Sequence, residues 1–132
     1  MLSVQLDSPV PLGEQLVGGL RRLIASGSLR PGDELPPVRQ LAADLGVNLN
    51  TVARAYRELE SDGLVSTARG RGTRVTSSQG TTRVPIGRVS DALRAVLADA
   101  KLAGLDADRV RALVDRLLPE FWPEAASARR SR

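Results

Sequence analysis

Residues 35–75 read LPPVRQLAADLGVNLNTVARAYRELESDGLVSTARGRGTRV, and this stretch decides the fold. Val38, Leu41, Ala42 and Leu45 stand at i, i+3, i+4 and i+7, the stripe of a short amphipathic helix that begins at Pro36 or Pro37. Gly46 stops it, in the left-handed conformation that commonly closes a helix. Asn48 is suited to cap a further helix, from about Leu49 to Asp62. The stripe of that helix is Val52, Ala55, Tyr56 and Leu59, and Gly63 ends it. Leu64 to Thr67 and Thr73 to Thr76 then read as two short strands around a tip of Arg69, Gly70, Arg71 and Gly72. Two helices about a glycine turn, followed by an arginine-rich hairpin, make the layout of a winged helix-turn-helix.

The flanks extend this plan. Residues 1–10 look extended, with Pro9 and Pro11 delaying the first helix. From Pro11 to Ala25 the apolar residues Leu12, Leu16, Leu20, Leu23 and Ile24 fall at helical spacing. Pro11 suits a first helical turn and Gly27 a stop. Leu29-Arg30-Pro31-Gly32-Asp33 reads as a turn. Residues 77–87 open with SSQGTTRVP, a polar linker without periodicity. Beyond it, Val89, Leu93, Val96, Leu97 and Ala100 line one helix face, and Gly104 breaks that helix. Asp106 or Asp108 can cap the next, whose face is Val110, Leu113, Val114, Leu117 and Leu118, with Pro119 as its close. The expected fold class is mainly α (α+β). A winged helix-turn-helix spans 1–76, a linker 77–87, a two-helix dimerisation region 88–119, and a partly disordered tail 120–132.

Composition narrows the chemistry. Aromatic residues make up 2% of the chain, so the core must be built from Leu, Val, Ile and Ala. There is no Cys and no His, which removes disulfides, thiolate or imidazole zinc sites and His-based acid–base catalysis. Glu58, Glu60 and Asp62 read as helix-surface charges. Neither an enzyme nor a cofactor or metal site is expected. No apolar run approaches the ~20 residues of a membrane span, and the N-terminus lacks a signal-type apolar region. A cytoplasmic location and no membrane partner are expected. The net charge is +4, which permits an anionic partner without identifying one. Location is more informative: residues 69–74, RGRGTR, hold three arginines and no acid.

At ~100° per residue, the third helix turns Asn50, Arg54, Arg57 and Ser61 away from its apolar stripe. Asparagine can read adenine in the major groove, and arginine can read guanine or clamp phosphate. Thr51 and the free backbone N–H groups beside Asn48 would favour a phosphate oxygen. Arg39, early in the second helix, would hold a phosphate from the other side. Arg69 and Arg71 at the hairpin tip suit a narrow minor groove, and Gly70 lets the loop approach closely. Each of these has a plainer alternative. Arg54 and Arg57 could be solvated partners of Glu58 and Glu60, or of Glu58 and Ser61 on neighbouring turns, Asn50 a residue of the helix start, and the tip a soluble turn. Tyr56 and Trp122 read as packing residues.

These motifs carry a family resemblance along residues 9–76. The matching elements are Pro11-Leu12 with Gln15, Ile24 and Gly27, Leu29 with Pro31-Gly32-Asp33, and Leu35-Pro36. They continue with Val38-Arg39, Leu41-Ala42, Leu45-Gly46-Val47, Asn50-Thr51-Val52, Ala55-Tyr56, Leu59, Gly63-Leu64-Val65 and Arg69-Gly70-Arg71-Gly72-Thr73 with Val75. In these the chain resembles the GntR-type bacterial transcription regulators. The resemblance implies a dimeric winged-helix repressor with Arg39, Asn50, Thr51 and Gly70 at DNA. Some members carry arginine where this chain has Leu49 and Ala53, so base specificity does not transfer from them. The residues after the linker are too few to enclose a sizeable ligand pocket. They look like the small tail of the YtrA-type branch.

Two lone amphipathic helices cannot bury both apolar faces, whereas a second chain can cover them. Leu93, Val96, Leu97, Val110, Leu113, Val114 and Leu117 are therefore expected to build a homodimer interface. The partner expected for the N-terminal part is double-stranded DNA with an inverted-repeat operator, with the candidate contacts Arg39, Asn48, Asn50, Thr51, Arg54, Arg57, Arg69, Gly70 and Arg71. Repression of the protein's own operon is the leading expectation, and the YtrA-type resemblance implies a transporter operon. The alternative is a winged helix that binds proteins without reading DNA. The sequence names no effector.

Overall fold

In a computed structural model, residues 2–76 and 85–126 are described, and they fall into two units, 1–83 and 84–132. In the first unit the chain runs α1 (Leu12–Ser26), α2 (Val38–Leu45), α3 (Leu49–Ser61), β1 (Val65–Ala68) and β2 (Gly72–Val75). The helical stripes drive this packing. Leu16, Val17 and Leu20 of α1, Leu41 and Ala42 of α2, and Val52, Ala55, Tyr56 and Leu59 of α3 form one buried cluster with Leu35, Val65 and Val75. Leu16, Leu59, Val52 and Val65 are almost wholly withdrawn from water. Each contributes roughly 1.5–3 kcal/mol of apolar burial. Tyr56 is the one aromatic residue of this cluster, and its hydroxyl donates to the carbonyl of Pro36 at 2.7 Å. That bond satisfies the buried phenol and holds the segment leading into α2. Burial pushes the Tyr56 phenol up to about 12.

The element ends follow the local chemistry, with small departures from the sequence expectation. Pro11 and Pro37 sit at the N-cap positions, just ahead of α1 and α2. Gly46 closes α2 with φ at 70°, and its N–H returns to the Ala43 carbonyl at 3.3 Å. β1 lies one residue later, and β2 one residue earlier, than the bounds 64–67 and 73–76 expected from sequence. They pair antiparallel, with Val65 opposite Val75 and Ala68 opposite Gly72. Sequence reading gives a plain turn from Leu29 to Asp33, but Asp33 to Leu35 add a third rung to the wing. Leu35 donates to Thr73 O at 2.8 Å, and Val75 donates to Asp33 O at 2.9 Å. Arg21 of α1 and Asp62 beyond α3 form an ion pair at 2.6 Å that closes the far end of the helical layer.

The second unit holds α4 (Ile86–Leu102) and α5 (Ala107–Phe121). Most of the linker expected at 77–87 lies outside the described residues, and α4 already starts at Ile86. Asp106 rather than Asp108 caps α5, accepting from Arg109 N at 2.8 Å. Pro119 does not close α5 as expected; it lies inside the helix, which runs on to Phe121. The proline takes its own N–H out of the ladder and crowds the turn before it, yet Trp122 N still donates to Leu118 O at 2.8 Å. The tail expected at 120–132 starts inside α5, which runs to Phe121, and residues 124–126 are helical again; its remainder lies outside the described residues. Among the described residues of this unit none is buried. No described helix in either unit is long and apolar enough to cross a membrane.

Candidate nucleic-acid interface

Helix α3 is fixed by its buried stripe, so its other face is set as well. Asn50, Arg54, Arg57 and Ser61 are exposed there, as the helical phase requires. Asn48 caps the helix: its Oδ1 accepts from Asn50 N at 2.7 Å, and its carbonyl accepts from Thr51 N at 3.0 Å. This narrows one expectation. The backbone donors of Asn50 and Thr51 are already taken by Asn48 and are not free for a phosphate. What Asn48 itself can offer outward is its amide Nδ2, because its oxygen is committed.

An open depression of about 440 Å³ lies between the start of α1 and α3. It brings Asn48, Asn50, Thr51 and Arg54 together with Glu14 and Glu58 on its border. Arg39, Arg57 and the hairpin tip lie outside it. Thr51 is half-buried and faces Gly13, where an added Cβ would stand 3.9 Å from its methyl group. Arg39 is exposed on α2, as expected.

Charge commitments separate the arginines. Arg21 pairs with Asp62 and Arg74 with Glu34, the latter at 3.6 Å. Among the described residues, Arg39, Arg54, Arg57, Arg69 and Arg71 form no ion pair. The plainer reading of Arg54 and Arg57 as partners of Glu58 and Glu60 is therefore not realised. Glu60 is engaged elsewhere, accepting from Thr67 N at 2.9 Å. The RGRGTR run also divides. Arg74 is held back by Glu34 and by the Gly32 carbonyl at 3.0 Å, leaving Arg69 and Arg71 as the outward charges. Between them Gly70 takes φ of 78°, and Arg71 N donates to Ala68 O at 3.0 Å to close the turn. A positive φ at the third residue is what a type II turn needs. Gly72 also has positive φ, 71°, and a Cβ there would meet Glu34 Oε1 at 2.9 Å. Sequence reading missed Glu34 and took Glu60 for a helix-surface charge, because neither lies in a spacing that shows its partner.

A buried three-helix layer, a recognition helix with an exposed amide and two uncommitted guanidiniums, and a hairpin with a basic tip define a winged helix-turn-helix DNA-binding module. The model of the bacterial regulatory proteins of the gntR family matches residues 12–75. The chain is 36% identical over 112 residues to the HTH-type transcriptional repressor YtrA of Bacillus subtilis (strain 168), covering 83% of this chain and 86% of that protein. The chain belongs to the GntR family, whose members regulate transcription and are not enzymes. Among solved structures it is similar to a transcriptional antiterminator from Listeria monocytogenes EGD-e, with a TM-score of 0.78, 27% identity and 88% of each chain covered. It is also similar to the DNA-binding domain of AraR, solved in complex with operator ORX1. That match has a TM-score of 0.52 and 28% identity, and covers 57% of this chain and 96% of that one.

Proposed function

We propose that this GntR-family regulator is a homodimeric repressor that reads an inverted-repeat operator at its own operon, with transporter genes as the regulated set. The observation that carries the reading is the set of arginines left uncommitted on α3 and at the wing tip. Asn50 and Arg54 meet base edges in the major groove. Asn48, Thr51, Arg57 and Arg39 hold phosphates, through side chains rather than through the helix start. Arg69 and Arg71 enter the minor groove, with Gly70 allowing close approach. The assignment of repression is supported by the likeness to YtrA, which is named a repressor; the transporter target rests only on the YtrA-type resemblance of the C-terminal sequence.

Dimerisation is supported by the second unit. Leu93, Val96, Leu97, Leu113, Val114 and Leu117 remain between 39% and 60% exposed. Val110 is half-buried. Faces this apolar are covered when two copies meet about a two-fold axis, and that axis presents two recognition helices to two half-sites. The test is binding to a labelled fragment from the chain's own upstream region, with scrambled competitor, at two salt concentrations. Saturable binding that survives competitor at ~150 mM salt, with a footprint of two symmetric half-sites, is expected. A footprint of one half-site, or binding abolished by competitor, would count against the reading.

A further inference from the structure

We propose that Glu60 is a positioning residue: its carboxylate ties the outer edge of the wing to the recognition helix and so sets where the wing tip meets DNA. The inference rests on the proposed contact of Arg69 and Arg71 with DNA. Strand pairing explains why the Thr67 N–H is available for this bond. Thr76 N donates to Leu64 O at 3.0 Å, so the alternation of the ladder leaves Thr67, opposite Thr73, with its N–H turned away from β2. The outer edge of β2 is covered, because Leu35 donates to Thr73 O and Asp33 accepts from Val75 N. The outer edge of β1 meets Glu60 Oε2 at 2.9 Å from Thr67 N. Core packing does not hold this part of the strand. Val65 is buried, but Ser66, Thr67 and Ala68 are all exposed. The other end of the link is rigid, since Glu60 comes directly after Leu59, which is 0% exposed. Thr67 stands two residues before Arg69, so the bond acts close to the tip. A hydrogen bond to a carboxylate is stronger than one between neutral groups.

The test uses the full chain, one mixed-sequence duplex at low salt, and E60A, E60Q, R71A and the E60A/R71A double variant. Amide exchange at Thr67 is monitored by NMR in the free protein. E60A is expected to accelerate Thr67 exchange about tenfold or more. It is expected to weaken duplex binding about fivefold, with R71A adding little on top of it. E60Q keeps an acceptor oxygen and loses the charge, so its binding should return most of the way to that of the parent protein. Unchanged Thr67 exchange and affinity in E60A, tighter binding in E60A, or fully additive losses in the double variant would each overturn the proposal while leaving the wing contact intact. A neutral R71A would remove the wing contact itself, and the role of Glu60 with it.

Discussion

Residues on α3 and the wing differ in what their removal should do. Asn50→Ala and Arg54→Ala are expected to cost ~1–3 kcal/mol of specific binding and to relax preference at the bases they face. Arg71→Ala should weaken binding uniformly across sequences and lower the salt slope by about one. Titrations against operator and mismatched duplexes at several salt concentrations separate the two classes. An Asn50→Ala protein with unchanged affinity and preference would show that the recognition face is misassigned. Tyr56 gives a prediction about stability. Its phenol is pushed up to about 12 when folded, from an ordinary value of 10.0, so the unfolded chain loses this proton first. The contribution is therefore fully present below pH 10 and is lost as pH rises through about 12. Denaturation measured across that window should show a decline that Tyr56→Phe flattens. The same change removes the bond to Pro36 O and should cost about 1 kcal/mol at neutral pH.

Elements carry the next set of consequences, and here sequence and structure can be weighed against each other. The stripes of α1, α2 and α3 were legible because burial on one side of a helix forces a period that side-chain type alone reveals. The Asn48 cap was legible for a similar reason: an asparagine ahead of an apolar stripe has a local backbone donor to satisfy. The α5 cap was legible only as a choice between Asp106 and Asp108, since both stand ahead of the stripe, and the structure selects Asp106. The third rung of the wing was not. Asp33, Glu34 and Leu35 pair with β2 through backbone groups more than thirty residues away, and backbone groups leave no mark on residue identity. The division of the arginines was hidden for the same reason, since Arg74 meets Glu34 only once that rung has formed. The dimensions of α5 were misread because a proline signal is local, whereas the helix beyond it is held by Trp122 and Leu118. Gly72 tests the rung. Gly72→Ala places a Cβ at positive φ and against Glu34 Oε1, and should destabilise the first unit by ~1–2 kcal/mol in thermal melting. A change smaller than the error of that measurement would mean that Glu34 moves aside freely.

At the level of the whole molecule, the two units divide labour between a well-buried core and a pair of helices without one. If α4 and α5 acquire their interior from a second copy, a charge on their exposed face should separate the copies. Leu97→Asp is expected to sediment as a monomer at micromolar concentration and to bind a two-half-site operator far more weakly. The melting of the first unit should be little affected, because Leu97 is not a member of that core. A Leu97→Asp protein that stays dimeric would place the interface elsewhere.

The single tyrosine and the single tryptophan have a practical consequence. Tyr56 is sealed in the core of the first unit, while Trp122 stands at the end of α5 with its ring 6.3 Å from that of Phe121. Each unit therefore carries its own chromophore. Indole emission reports events at the C-terminal helices, and phenol absorbance reports unfolding of the winged unit. An unmodified, unlabelled chain can thus reveal optically whether its two units melt together or in succession.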